Sequence, residues 1–211
     1  IMDNGHKIEL EPGIRGGAAN RYLIKYGRKI GPDPASIDSA MIGGIAANNA
    51  SGMCCGTSEN SYKTIADLKL IFADGTFLDT ADAASRASFE KSHKHILDKL
   101  EEISKRINAD VTLKERIVRK YKIKNTTGYS LNAFVDYTEG FDILKHLIIG
   151  SEGTLAFISS VTYNTVVEHP NKSVALIIYP TIKEACQAVQ ILKKQPVSAV
   201  ELIDRASIRS V

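Results

Sequence analysis

The residues best suited to chemistry lie in Gly31-Pro32-Asp33-Pro34-Ala35-Ser36, followed by Ile42-Gly43-Gly44-Ile45-Ala46-Ala47-Asn48-Asn49-Ala50-Ser51-Gly52. Here the backbone is on display more than the side chains. Glycine permits positive φ and lets a ligand approach the main chain, while Asn, Ser and free N–H groups can donate to a pyrophosphate. Such a segment suits a flat or phosphorylated cofactor. The competing reading is a tight Gly-rich turn inside a packed core. Two further clusters favour the cofactor: Lys124-Asn125-x-x-Gly128-Tyr129-x-Leu131 and Gly150-Ser151-Glu152-Gly153-Thr154.

Other chemistries lose support. The chain has neither G-x-G-x-x-G nor G-x-x-x-x-G-K-[ST], so Rossmann and P-loop readings weaken. Ser151 directly follows Gly150, which is not the G-x-S-x-G elbow of serine hydrolases. His93 and His95 are two apart on an expected helix and face different ways, so no metal is expected there. Cys54, Cys55 and Cys186 give no even disulfide framework and no zinc or iron–sulfur spacing, which points to a reducing cytoplasm. The basic run Lys114, Arg116, Arg119, Lys120, Lys122 and Lys124 reads as a solvated helix face, Lys124 excepted because it belongs to the Lys-Asn-x-x-Gly-Tyr block, and no nucleic-acid partner is expected.

Composition agrees with a globular protein. The 211 residues are 44% hydrophobic and 24% charged, and 27 basic against 24 acidic side chains leave +3, too little to demand a polyanionic partner. No apolar stretch approaches the roughly 20 residues of a membrane-spanning helix. The chain opens Ile1-Met2-Asp3 without a secretory leader, and a fragment of a longer polypeptide is expected.

Several elements must position these clusters. Asn4-Gly5 is a hairpin turn before an alternating strand at 7–11, and 15–26 carries helical spacing that Gly27 closes. Asp74-Gly75 joins antiparallel strands at 65–73 and 76–78. Phe89, His93, Ile96, Leu97, Leu100, Ile103 and Ile107 predict an amphipathic helix over 88–108, and Thr112-x-x-Glu115 predicts a capping box for the next. Strands are expected at 155–165, 173–179 and 197–203. Thr181-x-x-Glu184 caps a helix after the second of these, and Asp204 caps a last one.

With those blocks in order along the chain, the sequence resembles FAD-linked oxidases of the vanillyl-alcohol-oxidase (PCMH) type. Within them it is most similar to 2-hydroxy-acid dehydrogenases acting on D-lactate, glycolate or D-2-hydroxyglutarate, including large members that fuse a FAD half to an iron–sulfur half. Asn125-Thr126-Thr127-Gly128-Tyr129, IGSEGTLAFI at 149–158 and Val200-Glu201-Leu202-Ile203-Asp204 carry the likeness. The resemblance implies an α+β fold. Residues 1–168 would form the second subdomain of a PCMH-type FAD-binding domain, a mixed or antiparallel sheet flanked by helices. Residues 169–211 would begin an α/β substrate domain with a βαβ portion. The first FAD subdomain would precede Ile1.

Carried over by residue, the resemblance implies that Pro32, Asp33 and Ser36 lie against FAD. It implies that Gly43, Gly44, Asn48, Asn49, Ser51 and Gly52 meet its diphosphate and ring, and that Glu152, Gly153 and Phe157 meet the nucleotide. A bulky side chain at Gly44 or Gly52 would block close backbone approach. The implied chemistry is hydride removal from a D-2-hydroxy acid, with electrons passing to a quinone, an iron–sulfur centre or an electron-transfer protein. That acceptor could bring a cytoplasmic chain to a membrane surface. No catalytic base is assigned. Ala156 stands where relatives usually have glycine, and Gly56-Thr57-Ser58-Glu59-Asn60-Ser61-Tyr62 replaces their Arg-Tyr-Gly. A different class of reading is a non-catalytic module that uses the Gly/Asn loop for another nucleotide or an anion.

Overall fold

The computed structural model describes residues 1–210, so Val211, the last residue of the expected 169–211 domain, lies outside the described residues. The chain divides into two compact units, Ile1–Glu168 and His169–Val211.

In chain order the first unit contains β1 (Lys7–Leu10), α1 (Gly16–Leu23), β2 (Arg28–Lys29), α2 (Ile42–Asn48), α3 (Ser61–Thr64), β3 (Ile65–Ile71) and β4 (Phe77–Asp79). It continues with α4 (Ala83–Ala109), α5 (Val111–Lys120), α6 (Ala133–Asp136), α7 (Gly140–Ile148), β5 (Phe157–Asn164) and β6 (Val166–Val167). Its sheet runs β1-β5-β3-β4 with every pair antiparallel, and β2 pairs with β6 in a separate ribbon. The fold is therefore α+β.

Alternation sets the faces of the sheet. Leu68 and Leu70 of β3, Leu78 of β4 and Ile158, Val161 and Tyr163 of β5 point into one core, because successive side chains of a strand alternate. Register shifts at Ile65/Asp67 and Lys69/Leu70 interrupt the β3–β5 ladder, as extra residues do at a bulge. Asp74-Gly75 makes the expected β3–β4 turn, with Gly75 at φ +85°. The Asn4-Gly5 turn is tighter than a regular hairpin: a 3-10 turn over Asp3–Gly5 is closed by a Met2–Lys7 bridge.

Local capping corrects the helix boundaries. α4 begins at Ala83, earlier than periodicity alone predicts, because Asp82 accepts from Ala84 N–H and Ser85 N–H. It bends at His93 (φ −125°, ψ 21°), where Ser92 Oγ donates back to carbonyls of the preceding turn. α5 is capped by Asp110, whose carboxylate takes Leu113 N–H, and the expected Thr112 box is not used. Asp110 also ends α4, so the two helices share one hinge residue and leave no room for a later start.

The second unit contains α8 (Ile182–Leu192) and α9 (Arg205–Arg209). Thr181 and Glu184 form the predicted capping box, and Asp204 accepts from Ser207 N–H. The strands expected at 173–179 and 197–203 do not form, nor does the βαβ portion built on them. A strand exists only when a neighbour takes its N–H and C=O groups, and no ladder partner for these segments is present among the described residues. Val174, Leu176 and Ile178 consequently stay more than four-fifths exposed.

Candidate functional site

The segment read as a small-residue loop contains a helix. α2 buries Ile42, Ile45 and Ala46, packs on β5 and turns Gly44 and Asn48 outward, one helical turn apart. The two glycines of α2 differ in purpose. A Cβ on Gly43 would lie 2.7 Å from Pro12 Cβ, whereas a Cβ on Gly44 would meet nothing within 4 Å. Gly43 is thus small for the protein's own packing, and Gly44 leaves a bare, exposed patch of helix.

α2 ends at Asn49, which holds a left-handed conformation (φ 52°, ψ 43°) and is only 4% exposed. Its side chain is fully engaged within the chain. Oδ1 accepts from Tyr62 N–H (3.1 Å), and Nδ2 donates to Asn125 O (3.4 Å). Asn48 instead reaches outward, donating to Glu152 Oε1 (2.5 Å) and to Thr126 O (3.5 Å).

The last turn of a helix leaves carbonyls without intrahelical partners. Here the segment after α7 supplies them: Gly150 N–H donates to Ala46 O (3.2 Å) and Glu152 N–H to Ala47 O (2.9 Å). Gly150 (φ +89°) must lack a side chain, since a Cβ there would crowd Gly128 O at 3.2 Å and Ser130 Oγ at 3.3 Å. Ser130 Oγ donates to Ile149 O, and Tyr129 OH pairs with Thr154 Oγ1. Three blocks far apart in sequence, 42–49, 125–130 and 149–154, therefore meet at the C-terminal end of α2. Glu152 adopts φ 53° and Gly153 φ +74°, and a Cβ on Gly153 would meet nothing within 4 Å. The Ser151 hydroxyl is buried beside them and has no hydrogen-bond partner among the described residues.

The other sequence-selected residues divide into groups. The Asp33 carboxylate takes Cys54 N–H (3.0 Å) and Cys55 N–H (3.1 Å), which makes it a brace for the following turn. Gly52 is small for the same reason, because its Cβ would lie 1.7 Å from Asp33 O. The close backbone approach expected at Gly52 is thus made by Asp33, a residue of the same chain. The Lys124 ammonium donates to Gly52 O and ties this turn to the 125–130 block. Pro32 is buried, and Ser51 Oγ donates to Asn49 O. Burial pushes the Cys55 thiol up, away from a reactive thiolate.

Two residues are not drawn in. Ser36 is exposed, with its carbonyl accepting from Ser39 and Ala40 N–H groups. Phe157 is 59% exposed and pairs with Ile71, while its buried neighbour Ile158 takes the core face.

Sequence reasoning missed the support behind Asn49. Tyr62 is buried and donates its hydroxyl to Asp136 Oδ2 (2.8 Å), and burial followed by Asp136 holds the phenol far above its ordinary range. His146 stacks on Tyr137 at 3.9 Å and meets Tyr62 edge-on, and burial lowers its imidazole to about 4. Neither carried a spacing signal: Tyr62 meets Asp136 and His146 from 74 and 84 positions away, and Tyr137 lies nine positions before His146.

Comparison with known proteins shows what the chain is similar to. Residues 1–81 match the model of the FAD binding domain. Over 206 residues the chain is 27% identical to the mitochondrial D-lactate dehydrogenase [cytochrome] of Arabidopsis thaliana, covering 97% of this chain and 27% of that protein. The chain is thus similar to FAD-dependent dehydrogenases, with the FAD-binding match confined to residues 1–81. It is also 24% identical over 206 residues to D-2-hydroxyglutarate dehydrogenase of Haemophilus influenzae, covering 93% of this chain and 20% of that one. A solved alkyldihydroxyacetonephosphate synthase superposes with a TM-score of 0.49 at 16% identity, over 92% of this chain and 26% of that one. The chain spans about a quarter of the length of the curated relatives it matches. Among its described residues no helix is long and apolar enough to cross a membrane, and no cluster of three metal-ligating side chains occurs.

Proposed function

We propose that the open face formed by Gly44, Asn48, Ser51, Glu152 and Gly153 is where this chain meets FAD, as part of a dehydrogenase of D-2-hydroxy acids. The carrying observation is the convergence of three separate blocks on the end of α2, where Gly44 and Gly153 leave main chain uncovered. The Asn48 amide and the Glu152 carboxylate supply polar groups at the same place. Such a surface fits a cofactor rich in phosphate and hydroxyl groups.

In this reading residues 1–168 are one half of the FAD-binding domain and residues 169–211 begin the substrate domain. Asp33, Asn49 and Gly52 shape the site from within, while Gly44, Asn48 and Glu152 face the ligand. When bound, the flavin supplies the hydride-accepting chemistry. The chain's own part is to orient it and shield it from water. The substrate would be D-lactate or a related 2-hydroxy acid, the names borne by the curated relatives, with a quinone or iron–sulfur protein taking the electrons. Three free thiols favour a reducing compartment such as the cytoplasm.

Thermal-shift and fluorescence titrations of the 211-residue chain with FAD, ADP and phosphate test this. A ligand that binds only the folded chain raises its apparent stability. FAD is expected to bind weakly yet more tightly than ADP, because further protein completes the cofactor site. Equal responses to FAD, ADP and phosphate would favour a general anion-binding module, and no response to FAD at millimolar concentration would refute the proposal.

A further inference from the structure

Asn132 stands at the start of α6 without a side-chain capping bond, and its amide has one well-defined orientation. Nδ2 donates to Asp136 Oδ2 at 3.1 Å, the same oxygen that accepts from Tyr62 OH, and the Lys63 ammonium lies 3.6 Å away. A carboxylate surrounded by donors must face the NH2 of the amide, so Oδ1 points the other way. That oxygen is buried and accepts no hydrogen bond from any described residue. Beside it lies a cavity of about 30 Å³ lined by Asn132, Asn49, Asn60, Asn125, Tyr62 and Thr57, among others.

The size and chemistry of this cavity select its occupant. Roughly 10–15 Å³ of such space admits one water, so the cavity has room for a water between its polar walls. Its walls offer both polarities. Asn132 Oδ1 needs a donor, whereas Asn60, whose Oδ1 already takes Lys63 N–H at 3.1 Å, has amide protons to give. The Thr57 hydroxyl can do either. Buried water typically makes about three hydrogen bonds to groups of this kind.

We propose that the cavity is a specific binding site for one ordered water, which accepts from the Asn60 amide and donates to Asn132 Oδ1. The water links the cap of α3 to the start of α6 and backs the Asn49 and Asn125 amides that hold the end of α2. This assignment is independent of which ligand binds the outer face of α2.

A crystal structure of the 211-residue chain at better than 1.8 Å is the direct test. The expected result is one fully occupied density peak within about 3.2 Å of both Asn132 Oδ1 and Asn60 Nδ2. A double-mutant cycle gives an independent readout in solution. Asn60→Ala and Asn132→Ala are expected to be non-additive in the folding equilibrium constant by at least about threefold, although the two side chains do not hydrogen-bond each other. An empty cavity at that resolution, a collapsed one, or a peak with the short contacts of a metal ion would overturn the proposal. So would strict additivity of the two substitutions.

Discussion

Replacing Asn49 separates a ligand-contacting role from a positioning one. Two costs are built into this position. Its Oδ1 is the acceptor for the buried Tyr62 N–H, and losing that partner costs about 1–3 kcal/mol because the donor is stranded away from water. Its φ of 52° is a conformation in which asparagine is tolerated and alanine is disfavoured by about 1–2 kcal/mol. Asn49→Gly removes the first interaction and relieves the second strain, so it should cost about 1–3 kcal/mol. Asn49→Ala incurs both and should cost about 2–5 kcal/mol, a large part of the ~5–15 kcal/mol that holds a domain together. Urea unfolding followed by far-ultraviolet circular dichroism would measure both, and hydrogen exchange should show the Tyr62 amide losing protection first. An Asn49→Ala variant within about 0.5 kcal/mol of the parent, or a glycine variant less stable than the alanine one, would refute the reasoning.

The buried His146 makes stability depend on pH. Its imidazole falls from 6.5 to about 4 in the folded chain, so between those values the unfolded state binds the extra proton. Stability is therefore fully present above pH 6.5 and declines by about 3 kcal/mol as pH falls to 4. His146→Phe should flatten that slope in denaturant titrations at several pH values, and an unchanged slope would exclude His146 as its source. The two glycines called essential for backbone approach should respond in opposite directions. Gly44→Ala should raise stability by about 0.5–1 kcal/mol, because alanine favours helix and the site is open, while weakening FAD binding. Gly52→Ala should destabilise by about 3 kcal/mol through collision with Asp33, and calorimetry of both variants would expose a reversed order. In the second unit, Val174 and Ile178 are 97% and 86% exposed within an uncharged, sheet-forming run. Ile178→Lys should lower concentration-dependent association of the chain in light scattering, and equal association would argue against that run as the sticky segment.

What the sequence discloses depends on how locally each feature is encoded. The Asp74-Gly75 turn, the stripe from Phe89 to Ile107 and the Thr181/Glu184 box are written within a few residues of themselves, and the structure contains all three. The strands expected at 173–179 and 197–203 have the right composition, but pairing is a property of two segments, and composition cannot supply the second. The 31–52 segment shows the same limit at the site. Its glycines look alike in sequence, yet Gly43 is small because of Pro12, Gly52 because of Asp33, and Gly44 faces open space. Asn48 and Asn49 are neighbours of one type, and the turn into the left-handed region at Asn49 sends one amide outward to Glu152 and the other inward to Tyr62 and Asn125. Their division of labour follows from backbone geometry that residue type alone does not reveal. A cofactor surface of this kind is built largely from main chain, so the side chains that matter most to it are those that brace the backbone from behind.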